Sequence, residues 1–193
     1  AGTTRYAKFW KGEIAYRSGK YYDAIRSLSI YLESGAIEKG EANPITAKYD
    51  LGYSWMKKEN YRQALSYFEQ IAKSNTTAGN LEQDAYVRSA DCYFMTRDFA
   101  RANTMYGAVI NNALPQSDYA MFQKSLIAGI KSSAGKISIL NSLIRIYPQS
   151  SLVPDANMEI ASTYMADQKF ADAIPFLAKV LNSSNRGGLK PAA

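Results

Sequence analysis

Cys92 is the one cysteine among 193 residues, and the chain contains no histidine. A thiol acts as a nucleophile when a base takes its proton or a positive neighbourhood holds the thiolate, and histidine is the usual base. Without one, Cys92 reads as a small residue of a helix core. The missing histidines also remove the commonest metal ligand and the commonest general base. No catalytic residue, metal site or cofactor is therefore assigned, and catalysis by this chain is not expected. Asp84 and Asp91 stand two turns apart on one helical face, a spacing that a pair of acids can use. With no partner group in view, the sequence reads them as solvated charge. Gly12, Gly19 and Gly35 make no phosphate loop, while Asn75-Thr76-Thr77 and Asn182-Ser183-Ser184 match a glycosylation pattern short enough to arise by chance.

The net charge is +6, from 23 Lys and Arg against 17 Asp and Glu. These charges are interleaved along the chain without a long basic run, which describes a mildly basic surface and not a groove that tracks phosphates. Nucleic acid is not the expected partner. No stretch of about 18 apolar residues is present, so no transmembrane helix is predicted. The chain opens Ala1-Gly2-Thr3-Thr4 without a leader pattern, and any targeting or lipid signal, and membrane association with it, would have to lie upstream.

The elements that would position these residues are visible in a repeated phrase, aromatic-x-x-Ala-x-x-x-large apolar. It runs Tyr21-Ala24-Leu28, Tyr61-Ala64-Phe68, Phe99-Ala102-Tyr106 and Phe170-Ala173-Leu177, with a degraded copy at Ile137-Leu140-Ile144. The marker positions 24, 64, 102, 140 and 173 step by 40, 38, 38 and 33 residues. Such a period marks a helical-repeat array. A second helical stretch precedes most copies: Arg5–Ser18 with Gly12, Ile45–Lys58 with Gly52, Asp84–Thr96 with Ala90 and Pro154–Ala166 with Ala161. The turns between paired stretches, Ser18-Gly19-Lys20, Lys58-Glu59-Asn60, Thr96-Arg97-Asp98 and Asp167-Gln168-Lys169, are short enough to force antiparallel hairpins. Small residues at 12, 52, 90 and 161 let the two helices of a hairpin approach, and the large residue four after each marker is expected to fill the gap to the next hairpin. Asn43-Pro44 caps one helix start, Ser117 or Asp118 another near Tyr119, and Gly35, Gly79 and Pro148 mark helix ends. Pro175 is placed near the start of its helix, where no amide hydrogen is needed.

These residues resemble the tetratricopeptide repeat family. The best match is Leu51-Gly52, Trp55, Tyr61, Ala64 and Phe68, followed by Gly12, Gly19, Tyr21, Ala24 and Leu28, while the fourth repeat, with Ala128, Ile137 and Leu140 at the marker positions, departs most. The resemblance implies an all-α fold, a right-handed α-α superhelix or solenoid of about five hairpins. It gives one domain over residues 1–184, with repeats near 5–36, 45–75, 83–113, 118–148 and 154–184, and a flexible tail at 185–193. The junction Tyr147-Pro148-Gln149-Ser150-Ser151, followed by Pro154-Asp155-Ala156, is similar to that of envelope tetratricopeptide proteins of bacteria. It implies a periplasmic or outer-membrane associated protein that holds other proteins.

In the family, the first helices of successive hairpins line a concave groove. Carrying that register over places Tyr6, Phe9, Tyr16, Arg17, Tyr49, Tyr53, Met56 and Lys57 in a peptide-binding groove, with Glu13 among them and Asp84, Asp91, Phe94 and Met95 added by the third repeat. Such a wall suits a polypeptide, because Tyr gives contact area at low entropic cost and Arg or Lys can hold a carboxylate. The family's two-lysine, two-asparagine clamp is not visible at these positions. The expected function is a non-catalytic scaffold binding a protein or peptide partner. The alternatives are a groove for an anionic polymer or nucleic acid, and a regulatory domain of a larger enzyme. No polar capping helix follows the fifth hairpin, which predicts a longer array or an end that packs on a partner or a second copy.

Overall fold

The computed structural model describes residues 2–35, 40, 42–73 and 75–187. Among these residues the chain is all helical: α1 Gly2–Arg17, α2 Tyr21–Glu33, α3 Pro44–Lys57, α4 Tyr61–Phe68, α5 Asn80–Met95, α6 Phe99–Asn111, α7 Ser117–Gly129, α8 Ser133–Ile146, α9 Val153–Ala166 and α10 Phe170–Gly187. Two units are distinguished, Ala1–Met105 and Tyr106–Ala193. In the first, α1 packs on α2 and α3 on α4, with α2 against α3 and α4 against α5; in the second, α7 packs on α8, α8 on α9 and α9 on α10.

The expected hairpin turns are present, and four of them share one geometry. The middle residue of each, Gly19, Glu59, Arg97 and Gln168, has a positive φ of 72°, 58°, 63° and 60°. In each, the following amide donates to a carbonyl five residues back, as in Lys20 to Ala15, Asn60 to Trp55, Asp98 to Tyr93 and Lys169 to Tyr164. This is the left-handed helix stop that satisfies the last carbonyls of the first helix. Only the first turn has the glycine that the conformation favours.

The packing of marker residues explains the period. Ala24, Ala64, Ala102 and Leu140 are fully buried and Ala173 is 1% exposed. A Cβ added at Gly12 would lie 2.5 Å from Leu28 Cγ, and one at Gly52 would lie 2.6 Å from Phe68 Cε1. The large residue after each marker in these two hairpins thus meets the glycine of its own hairpin, where the sequence placed it against the next. The glycine is needed because the partner side chain occupies the place of its missing Cβ.

Three local expectations are corrected. α7 starts at Ser117 after Gln116, and Ser117 Oγ donates to the Val109 and Leu114 carbonyls instead of capping the helix. Pro175 lies inside α10 as its sixth residue, where it removes a helical hydrogen bond to the Ala171 carbonyl; both residues are exposed, which leaves that carbonyl to water. The supposed tail begins as helix, since α10 runs to Gly187, and 188–193 lie outside the described residues, as do 36–39, 41 and 74 in the two long loops. The fourth hairpin differs as its sequence suggested. Its turn has no left-handed residue; Ser132 donates its amide to Ala128 and accepts from the Gly135 amide to start α8. The core beside it combines Met121, Leu140, Leu143, Ala156 and Ile160.

Candidate functional site

The first helices of the N-terminal unit, α1, α3 and α5, lie side by side, α1 against α3 and α3 against α5. Their shared face carries the residues the sequence selected. Tyr49 and Tyr53, one helical turn apart on α3, both donate their hydroxyls to Asp84 Oδ2 of α5, at 2.7 and 2.6 Å. Their rings meet at 4.9 Å between centroids and both stand edge-on to Phe68, so they are fixed from above and below. Burial raises both phenol pKa values and the bond to Asp84 raises them further, against the opposing Arg88 charge at Tyr53. They remain neutral donors. Tyr16 extends this row from α1, 6.5 Å from Tyr53, and burial pushes its phenol up to about 12.

The other selected residues divide. Tyr6 is on the surface of α1, Met56 is half-buried against the core of the second hairpin, and Lys57 is exposed. The Arg17 side chain is 70% exposed and brings Nε within 2.6 Å of Glu13 Oε1. Phe9 is a correction: at 1% exposure it packs edge-on against Tyr31 and Trp10 in the core of the first hairpin and offers nothing to a ligand. The family register places it on the groove side, but an unpolar ring beside Leu28 and Ala24 is more stable inside.

Asp84 and Asp91 are also corrected, because they are not solvated. Arg88, between them on α5, lies 3.4 Å from Asp84 Oδ1 through Nε and donates Nη1 to Asp91; the three side chains are only 11–18% exposed. The spacing i, i+4, i+7 puts an acid, a cation and an acid on one stripe. Reading Asp84 and Asp91 without Arg88 concealed this. A second pair was missed altogether. Glu13 of α1 and Asp50 of α3 are 6% and 4% exposed, and Asp50 hydrogen-bonds the Glu13 carboxyl. Glu13 Oε2 and Asp50 Oδ2 have no hydrogen-bond donor among the described residues. Burial, with the Glu13 bond and charge, raises Asp50 to about 9 against the lowering by Arg17. No sequence pattern within either helix reveals this contact.

Elsewhere in this unit, the early end of α4 at Phe68 leaves a recess of about 330 Å³ lined by Glu69, Tyr93, Ala100, Arg101, Thr104 and Met105. Tyr93 donates to Glu69 there, under the Arg101 guanidinium. Cys92 is fully buried beside the core of the second hairpin, and burial pushes its thiol up to about 12. It is a core residue. No group of three or more acidic or cysteine side chains among the described residues is placed to hold a metal ion. No described helix is long and apolar enough to cross a membrane. On α10, Phe170, Ile174 and Leu181 are 63–66% exposed, an open apolar edge at the end of the second unit.

The tetratricopeptide repeat family model matches residues 49–122, from within α3 into α7. Among solved structures, a crystal structure of MamA protein aligns over 100% of this chain and 99% of its own, with 17% identity and a TM-score of 0.72. A MamA from Desulfovibrio magneticus RS-1, beginning at its residue 41, aligns over 94% and 96% with 14% identity and a TM-score of 0.73. Nearly identical TPR-like repeats from Podospora anserina align over 94% and 95% with 11% identity and a TM-score of 0.71. No curated protein matches the chain. At these identities the likeness shows the fold, which is that of tetratricopeptide-type helical hairpins.

Proposed function

We propose that this tetratricopeptide-repeat chain is a non-catalytic scaffold that binds a partner polypeptide on the face of α1, α3 and α5. The observation that carries this reading is the convergence of Tyr49 and Tyr53 on Asp84, which fixes half-buried rings in one orientation before any ligand arrives. Rings held in advance lose little freedom on binding, which is where an aromatic wall gains affinity. Lys57 and Arg17 stand exposed at its border and can meet a carboxylate of the partner. An anionic polymer fits less well, because Glu13, Asp84 and Asp91 lie along the same face as Arg17, Lys57 and Arg88. For the setting, we infer a bacterial envelope from the Tyr147–Ser151 junction alone. Ser150 also has a structural task there, since its hydroxyl donates to Asp118 Oδ2 at 2.5 Å and accepts the Leu152 amide, joining α7 to the start of α9.

The test is recovery of polypeptides from a bacterial envelope extract on immobilised protein. The parent is compared with Tyr49→Ala/Tyr53→Ala, which removes the wall, and with Tyr6→Glu/Lys57→Glu, which alters exposed positions only. The same polypeptide should be lost from both variants, and its retention by the parent should change little between low and high salt. Equal recovery on all three proteins overturns the groove, whereas a retention that collapses with salt identifies an anionic ligand.

A further inference from the structure

The carboxyl pair between the first two hairpins has a consequence independent of what the face binds. We propose that Glu13 and Asp50 form a proton-operated latch at the α1–α3 joint, closed when the pair shares a proton and loosened when both carboxyls are ionised. The geometry has three parts. The two side chains come from different helices and are 6% and 4% exposed, so water cannot solvate a second negative charge. Neither Glu13 Oε2 nor Asp50 Oδ2 has a donor from the rest of the described protein, so each lacks the hydrogen bond that a retained proton would supply. The one cation close to them, Arg17, reaches Glu13 from a side chain that is 70% exposed. A guanidinium largely in water is screened too well to replace the proton.

Among the described residues, the charged groups that act on Asp50 are Glu13 and Arg17, both from α1; none comes from α4. Burial raises the Tyr16 pKa most, and Asp50, Tyr21 of α2, Glu13 and Asp84 of α5 raise it further. Tyr16 therefore stays protonated throughout the range in which the pair titrates. Two buried carboxyls in contact cannot both ionise cheaply, and the cost falls on the joint. Opening it would separate Tyr16 of α1 from Tyr53 of α3, which now stand 6.5 Å apart, and so interrupt the tyrosine row.

The sign follows from proton counting. Asp50 gives up its proton near its ordinary 3.8 in the unfolded chain and near 9 in the folded one. Between those values the folded state holds one proton more, so stability falls as pH rises from about 4 to about 9 and then levels. Replacing the Asp50 carboxyl removes the proton requirement, and Asp50→Asn also supplies a permanent amide donor to Glu13. Glu13→Gln supplies a donor to Asp50 and takes away the second charge, but burial, the larger cause, still raises Asp50, so its pH dependence should be weaker than the parent's without vanishing.

The experiment measures unfolding of the parent and both variants between pH 5 and 9, together with hydrogen exchange of the α1 amides corrected for intrinsic chemistry. In the parent, the folding equilibrium constant should fall by up to about tenfold per pH unit more steeply than in the variants. Exchange in α1 should accelerate toward pH 9 in the parent, remain flat in Asp50→Asn and change less than the parent in Glu13→Gln. Parallel pH profiles for parent and variants, or α1 protection that is unchanged in the parent, would overturn the latch. Cys92, Tyr16, Tyr49 and Tyr53, all raised by burial, do not titrate in this window.

Discussion

The α1–α3 and α3–α5 joints set consecutive first helices side by side, yet they bury their carboxyls by different means. At α3–α5, Asp84 and Asp91 share the buried cation Arg88, and two phenols donate to Asp84 Oδ2. At α1–α3, Glu13 and Asp50 meet each other, with their cation Arg17 mostly in water. A buried carboxylate can be satisfied by a cation and its donors or by a proton, and only the second arrangement loosens a joint as pH rises. The first of these joints should therefore be the adjustable one and the second the rigid one.

The largest expected effect comes from removing each cation in turn. Arg88→Met leaves Asp84 and Asp91 buried without neutralisation and should cost about 3–5 kcal/mol, the range for breaking a buried pair. Arg17→Met removes a solvated partner and should cost about 0–1 kcal/mol. Denaturant midpoints at pH 7 compare the two. Equal losses would mean that burial does not distinguish the joints.

Next in size is the packing beneath each joint. A methyl group added at Gly12 must displace Leu28 Cγ at 2.5 Å, while one at Gly52 must displace three atoms of the Phe68 ring at 2.6–2.8 Å. Gly12→Ala and Gly52→Ala should each cost about 1–3 kcal/mol by overpacking. The second should cost more, because a ring cannot bend away as a branched aliphatic chain can, and Phe68 also supports Tyr49 and Tyr53. Thermal unfolding of the two variants gives the order; the reverse order would locate the tighter constraint in the first hairpin.

The hairpins were legible because each relies on residue types at fixed local spacing: a small residue in the first helix, a marker alanine and a large side chain in the second. The turn positions were legible for the same reason. The fate of the groove residues was not, since it depends on contacts between hairpins. Tyr49 and Tyr53 stand 35 and 31 residues before Asp84, and nothing in either segment announces that the hydroxyls will converge. Phe9 has the right register for the groove and yet turns into the core beside Tyr31. Glu13 and Asp50 are hidden more deeply, because two like charges in contact contradict the expectation from which sequence patterns are read. Their placement becomes reasonable only when burial retains a proton.

The smallest effect concerns the turns that fix the approach of α1 to α2 and of α3 to α4. Gly19 and Glu59 hold the same left-handed conformation, at φ 72° and 58°, and close the same five-residue hydrogen bond. A residue with a Cβ adopts this conformation at a cost of about 1–2 kcal/mol, while glycine adopts it freely but loses more entropy on folding, by about 0.5–1 kcal/mol. The balance favours glycine. Glu59→Gly should therefore raise stability by about 0.5–1 kcal/mol, and Gly19→Ala should lower it by a similar amount. Both positions are exposed and nothing lies within 4 Å of a Cβ added at Gly19, so backbone preference alone is measured there. If Glu59→Gly left the thermal midpoint unchanged or lowered it, the second turn would be held by a Glu59 interaction, and the two hairpins would differ in their turns as they do in their joints.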